Sequence, residues 1–132
     1  MNINYKVALA VLAGAAIGAA ATEGLHAQGQ AQPPAYFIVE IDKINDAVGL
    51  DVIVQRPRGG ADVAEELGSH YIARTYKITA LDGTPPVRFI AYAFDSVEKA
   101  QAFNNTPYMK EVNAIRDKTT QARSFIVEGM PQ

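Results

Sequence analysis

Two alternating segments, His70 to Thr79 and Val87 to Phe94, flank a connection carrying Asp82-Gly83 and Pro85-Pro86. Alternation at every second residue marks a strand with one buried face. Asp-Gly supplies turn backbone and prolines cannot extend a ladder, so the pair reads as a hairpin with a longer loop. A central hairpin leaves only a few ways to arrange what precedes and follows it. Before it, Ala35 to Asp42 reads as a strand, with Phe37, Val39 and Ile41 on one face and Tyr36, Ile38, Glu40 and Asp42 on the other. After it, Arg123 to Gly129 reads as a fourth strand.

The two intervals between these strands read as helical. Asn45-Asp46 offers an N-cap. Val52-Ile53-Val54 has strand composition, and Pro57-Arg58-Gly59-Gly60 breaks a helix. Asp62 and Glu65 resemble a capping box, Val63 and Leu67 share a face, and Gly68 closes the segment. The whole interval is expected to be one interrupted helical crossover. In the second interval, Asp95-Ser96 caps a helix with Val97, Ala100 and Phe103 on one side. Pro107 opens a further stretch, where Tyr108, Val112, Ile115 and Thr119 recur at helical spacing. The order βα–ββ–αβ predicts an α+β ferredoxin-like domain, a four-stranded antiparallel sheet with its helices on one face. The bare face then has to meet water, a ligand or a second copy, and Tyr36 and Ile38 favour a homodimer.

Hydrophobicity divides the chain. Of residues 1–27, 18 are hydrophobic, and all seven prolines lie beyond them. Lys6 precedes an uncharged run from Val7 to Thr22, and small residues stand at Ala21 and Ala27. That pattern predicts a secretory signal peptide over residues 1–27, cleaved after Ala27 or Ala21, and a periplasmic or secreted product. The run is Ala/Gly-rich and shorter than the roughly 20 residues a spanning helix needs. An uncleaved anchor is the alternative, and the only membrane contact expected. Residues 28–34 read as a flexible linker, and residues 35–130 as the folded domain.

The 132 residues carry 12 Lys+Arg against 14 Asp+Glu and no Cys. A net charge of −2 without a basic cluster argues against nucleic acid as a partner. Absence of Cys removes disulfides, thiolate metal sites and a Cys nucleophile. No phosphate loop, dinucleotide fingerprint, nucleophile elbow or zinc-helix motif occurs, so no cofactor and no metal are expected.

Two residues are candidates for catalysis. His70 is the only histidine beyond the leader, and histidine is the side chain that most often serves as a general base. Asp42 lies two residues from Glu40 on one strand face, where paired carboxylates share a proton or a neighbouring arginine such as Arg74 or Arg88. For ligand binding, Arg74 and Tyr76 share a face with Ile72, and beside Tyr36 and Glu40 they would hold a carboxylate-bearing molecule in a half-apolar cleft. Arg116 is expected to pair with Asp117 or Glu111.

The ordered pieces Ala35-Tyr36, Asp46, Gly68 to Arg74, Val87 to Ser96 with Phe94, Ala100 with Phe103, Pro107-Tyr108, Arg116 and Val127-Glu128-Gly129 resemble the domain-of-unknown-function 1330 family over about residues 35–130. The resemblance implies a dimeric α/β barrel of ferredoxin-like domains, some with signal peptides. Thr75-Tyr76 stands where relatives often have Gly-Gly, and Ala93 where many have Glu. If a carboxylate at that third-strand position does chemistry in relatives, this chain lacks the residue for it. The first expectation for function is therefore an exported homodimer binding a small organic molecule on its open sheet face. The alternatives are a cofactor-independent monooxygenase- or isomerase-like enzyme with His70 or Asp42 as base, and a non-catalytic envelope protein.

Overall fold

A computed structural model describes residues 31–56 and 59–132. The expected signal peptide, its cleavage points, the first linker residues and the Pro57-Arg58 break all lie outside the described residues. Among those described, no helix is long and apolar enough to cross a membrane.

Four strands, β1 (Ala35–Ile44), β2 (His70–Thr75), β3 (Arg88–Phe94) and β4 (Thr120–Glu128), form one sheet in the order β2-β3-β1-β4. Every neighbouring pair is antiparallel. Helices α1 (Ala47–Val54) and α2 (Gly60–Glu66) connect β1 to β2; α3 (Val97–Asn104) and α4 (Pro107–Thr119) connect β3 to β4. This is the expected α+β ferredoxin-like plan, with the first crossover in two helical pieces.

Local chemistry sets the boundaries. The Asp46 carboxylate accepts from Gly49 N at 2.9 Å and starts α1. At α2 the N-cap is Gly59, and Asp62 reaches back to accept from its N–H at 3.0 Å. The capping pair is thus Gly59/Asp62 rather than the expected Asp62/Glu65, which moves the helix start three residues back. Gly68 ends this crossover at φ 74, a left-handed conformation that glycine adopts without a Cβ clash. The Ser96 hydroxyl accepts from Lys99 N at 3.2 Å to start α3, and Thr106 with Pro107 starts α4.

Strand ends also differ from expectation, most of all at β2 and β4. β2 stops at Thr75, where Lys77 N bonds back to the Thr75 hydroxyl at 2.8 Å and the chain leaves the sheet. β4 begins at Thr120, because a bulge between Ile41 and Lys43 re-aligns the end of β1 onto Gln121 and Thr120.

The core fills the helix-covered face. Phe37, Val39 and Ile41 of β1 and Tyr92 and Phe94 of β3 meet Ala100 and Phe103 of α3 and Met109 of α4. Phe103 is fully buried, with ring centroids 5.5 Å from Phe37, 4.9 Å from Tyr92 and 5.3 Å from Phe94. The opposite face carries Tyr36, Ile38 and Glu40 across from Val127, Phe125 and Arg123 of β4.

Candidate functional site

A second bulge decides what edge strand β2 presents. His70 pairs with Ala93 and Tyr71 with Tyr92; the register then shifts, so that Ala73 meets Ala91 and Arg74 meets Ile90. Without the extra residue Ile72, Tyr71 and Arg74 would point to opposite faces, being three apart. With it, both stand beside Tyr92 and Ile90, whose partners on β1 are the core residues Phe37 and Val39.

Above these residues, between the sheet and helices α1 and α4, lies a cavity of about 120 Å³. Val39, Ile41 and Ile90 form its floor, and Leu50, Ile53, Met109 and Val112 its roof. Gly59 and Gly60 close one end beside three phenols, those of Tyr71, Tyr92 and Tyr108. A Cβ on Gly60 would lie 2.6 Å from the Tyr92 hydroxyl, so the helix start approaches the ring only because this residue is glycine.

The phenols form a small network. Tyr92 and Tyr71 stack with centroids 4.3 Å apart, and the Tyr92 hydroxyl donates to that of Tyr71 at 2.8 Å. Burial, then the bond to Tyr71, pushes the Tyr92 phenol well above the ordinary tyrosine range, so it stays protonated. Burial also raises Tyr108, despite the Arg56 guanidinium 5.8 Å from its ring.

Among the described residues, three arginines line the same cavity: Arg74, Arg88 and Arg116. The Nε and Nη2 of Arg116 donate to Asp117 at 3.2 and 3.0 Å, as expected of that pair. Arg74 lies 5.6 Å from the Tyr71 ring centroid. Arg88 is only 6% exposed, and its Nε has no hydrogen-bond partner among the described residues. The Tyr76 ring covers its guanidinium at 4.9 Å. Among the described residues, no Asp or Glu lines the cavity.

The structure therefore divides the expected cleft. Arg74 stands in the cavity wall on the covered face, and the Ile72 bulge removes it from the open face assigned to it. Tyr36 and Glu40 stay on the open face. Tyr76 lies beyond the end of β2, 61% exposed, stacked on Arg88. Glu40 accepts from Arg123 Nε at 2.5 Å, and Asp42 lies 3.7 Å from the same guanidinium. That arginine comes from β4, in place of the expected Arg74 or Arg88, because the register sets Arg123 directly opposite Glu40.

His70 and Asp42 do not come together. The β1 residue level with His70, across Ala93, is Tyr36, six residues or about 20 Å of strand from Asp42. Neither residue lines the cavity. Among the described residues, no group of three or more His, Asp or Glu is placed to hold a metal ion.

The sequence reasoning gave no cavity role to Tyr71, Tyr92, Tyr108 or Arg88. For Arg88 a signal existed: it shares the period-2 face of Ile90, Tyr92 and Phe94, all core-side residues. A charge in that series lies on the covered face.

Strand order, crossover helices and a cavity between sheet and helices define an α+β ferredoxin-like domain with an internal ligand-sized space. The family model described as "Domain of unknown function (DUF1330)" matches residues 34–130, and the chain belongs to that family. Among solved structures, a protein of unknown function from Rhodopseudomonas palustris aligns at 13% identity and TM-score 0.58, covering 84% of this chain and 93% of its own. A hypothetical protein of Arabidopsis thaliana aligns at 15% identity and TM-score 0.54, covering 78% and 94%. These two likenesses show the fold alone. A dimeric ferredoxin-like protein of unknown function from Bacteroides fragilis aligns at 12% identity and TM-score 0.45, covering 74% and 97%. No curated protein matches the sequence.

Proposed function

We propose that this protein binds a small organic molecule in the cavity between the sheet and helices α1 and α4, and that it acts as an exported homodimer. The observation that carries the reading is the cavity itself: an apolar floor and roof with phenol and guanidinium groups at defined places. Ligand sites are built this way, apolar for affinity with a few polar groups for orientation. The binding face differs from the open face expected at first, because that face lacks Arg74 and keeps Glu40 engaged with Arg123.

Dimerisation is supported by the open face. Tyr36 and Ile38 lie there beside Phe125 and Val127, which are 40% and 42% exposed in one chain. Such a surface suits a second copy of the same sheet. Export is supported by the uncharged run from Val7 to Thr22 behind Lys6. Cell fractionation with N-terminal sequencing tests it. A periplasmic or secreted product beginning at Gln28 or Thr22 is expected, and a cytoplasmic product beginning at Met1 overturns export.

Amide-resolved NMR titration with two one-ring probes, benzoate and benzyl alcohol, tests the cavity. Resonances of Ile90, Tyr92 and Val112 are expected to move with at least one probe. Shifts confined to Ile38, Phe125 and Val127 would return the site to the open face.

A further inference from the structure

We infer that the ligand is a small monocarboxylate with a body about the size of one ring, its carboxylate received by Arg88 with Arg74 beside it. The inference rests on the reading of the cavity as a binding site and narrows that reading to a charge class.

Arg88 is the buried charge that sets the ligand class. The residue is only 6% exposed, and its Nε lacks a hydrogen-bond partner among the described residues. A buried cation without a counter-charge is costly, and folds seldom keep one without another use for it. Packing does not demand an arginine there, since the next residues on that face of β3 are Ile90, Tyr92 and Phe94. Arg74 enters from the neighbouring strand opposite Ile90, one step along the same face from Arg88. Arg116 is already engaged with Asp117, and among the described residues no Asp or Glu lines the cavity to balance the other two. The cavity is thus left with positive charge that no lining group neutralises.

Geometry narrows the anion. The guanidinium edge matches a carboxylate through two parallel N–H···O bonds. The Arg88 guanidinium lies over the Tyr76 ring, 4.9 Å from its centroid, and Nε on its edge has no partner among the described residues. Size narrows the body: an apolar cavity of roughly 150 Å³ holds benzene, and this one measures about 120 Å³. That caps the body at about one ring or a short chain and leaves no room for a nucleotide. Arg88 is the one buried lining guanidinium with an unpartnered nitrogen among the described residues, and this matches a single negative charge.

Calorimetric titration of the purified protein at neutral pH tests the inference with two shape-matched pairs, benzoate against benzamide and hexanoate against hexanamide. At least one acid is expected to bind about tenfold or more tightly than its amide, the scale of a charge-assisted hydrogen bond. Arg88→Met is expected to abolish that preference, and Arg74→Gln to reduce it. An amide binding as tightly as its acid overturns the charge assignment and leaves the cavity reading intact. Failure of all four probes at millimolar concentration overturns both. Should Arg88→Met fail to fold, the acid–amide comparison on the unchanged protein decides.

Discussion

The two faces of the sheet treat charge in opposite ways. On the open face, Glu40, Asp42 and Arg123 satisfy one another at the surface, among Tyr36, Ile38, Phe125 and Val127. On the covered face, among the described residues, Arg88 is enclosed with an unpartnered nitrogen, and Arg74 faces the same space without a carboxylate across it. The first arrangement is what solvent permits at little cost. The second sacrifices stability, and such sacrifices concentrate at functional sites. The contrast separates a surface suited to a partner from an interior suited to a ligand.

The largest effect that sharpens this contrast belongs to the core behind the cavity. Phe103→Ala removes a fully buried ring that touches Phe37, Tyr92 and Phe94. A loss of about 3–5 kcal/mol in urea denaturation is expected. Phe125→Glu, on the open face, should leave the unfolding of a single chain nearly unchanged. In sedimentation analysis it should weaken the homodimer by at least about 2 kcal/mol, roughly thirtyfold in Kd. A fully dimeric Phe125→Glu protein would break the assignment of that face to a second copy. Arg88→Met is expected to act in the unusual direction: without ligand, the variant should be about 1–2 kcal/mol more stable, because an unpaired buried charge has become an apolar side chain. A destabilised variant that still folds would mean that Arg88 has a structural partner.

Much of the frame was legible in the residues. Alternation in Phe37, Val39 and Ile41 gave the buried face of β1, and Ser96 and Pro107 mark their helix starts by local hydrogen bonding or fixed φ. These signals operate over a few residues, so a sequence displays them. The site was only half legible for the same reason. Arg74 was identified as a ligand-binding candidate, but its face depends on Ile72 being the extra residue of a bulge. That choice is made by pairing with β3, and nothing within His70 to Thr75 announces it. Arg123 lies 83 residues from Glu40, so their pairing follows from strand order and the β1–β4 register. Tyr71 and Tyr92 come together through the β2–β3 register, and Tyr108 joins them from a helix packed across the sheet. Long-range register, rather than propensity, assembles the cavity.

The smallest expected effect completes the comparison. The bond between Glu40 and Arg123 is short, at 2.5 Å, and raises the Arg123 guanidinium further above its ordinary value. Yet the Arg123 side chain is 61% exposed, only its Nε engages Glu40, and the Asp42 contact is long at 3.7 Å. Water and salt compete directly for such a pair. Glu40→Gln is therefore expected to move the urea midpoint less than any change above. Whatever difference remains should vanish in about 1 M salt, where screening acts within about 3 Å. If the loss instead rivals the Arg88→Met change in size and persists in salt, the pair is dry in the native protein. The homodimer contact would then extend over Glu40 and Arg123, and the open face would hold a buried ion pair of its own.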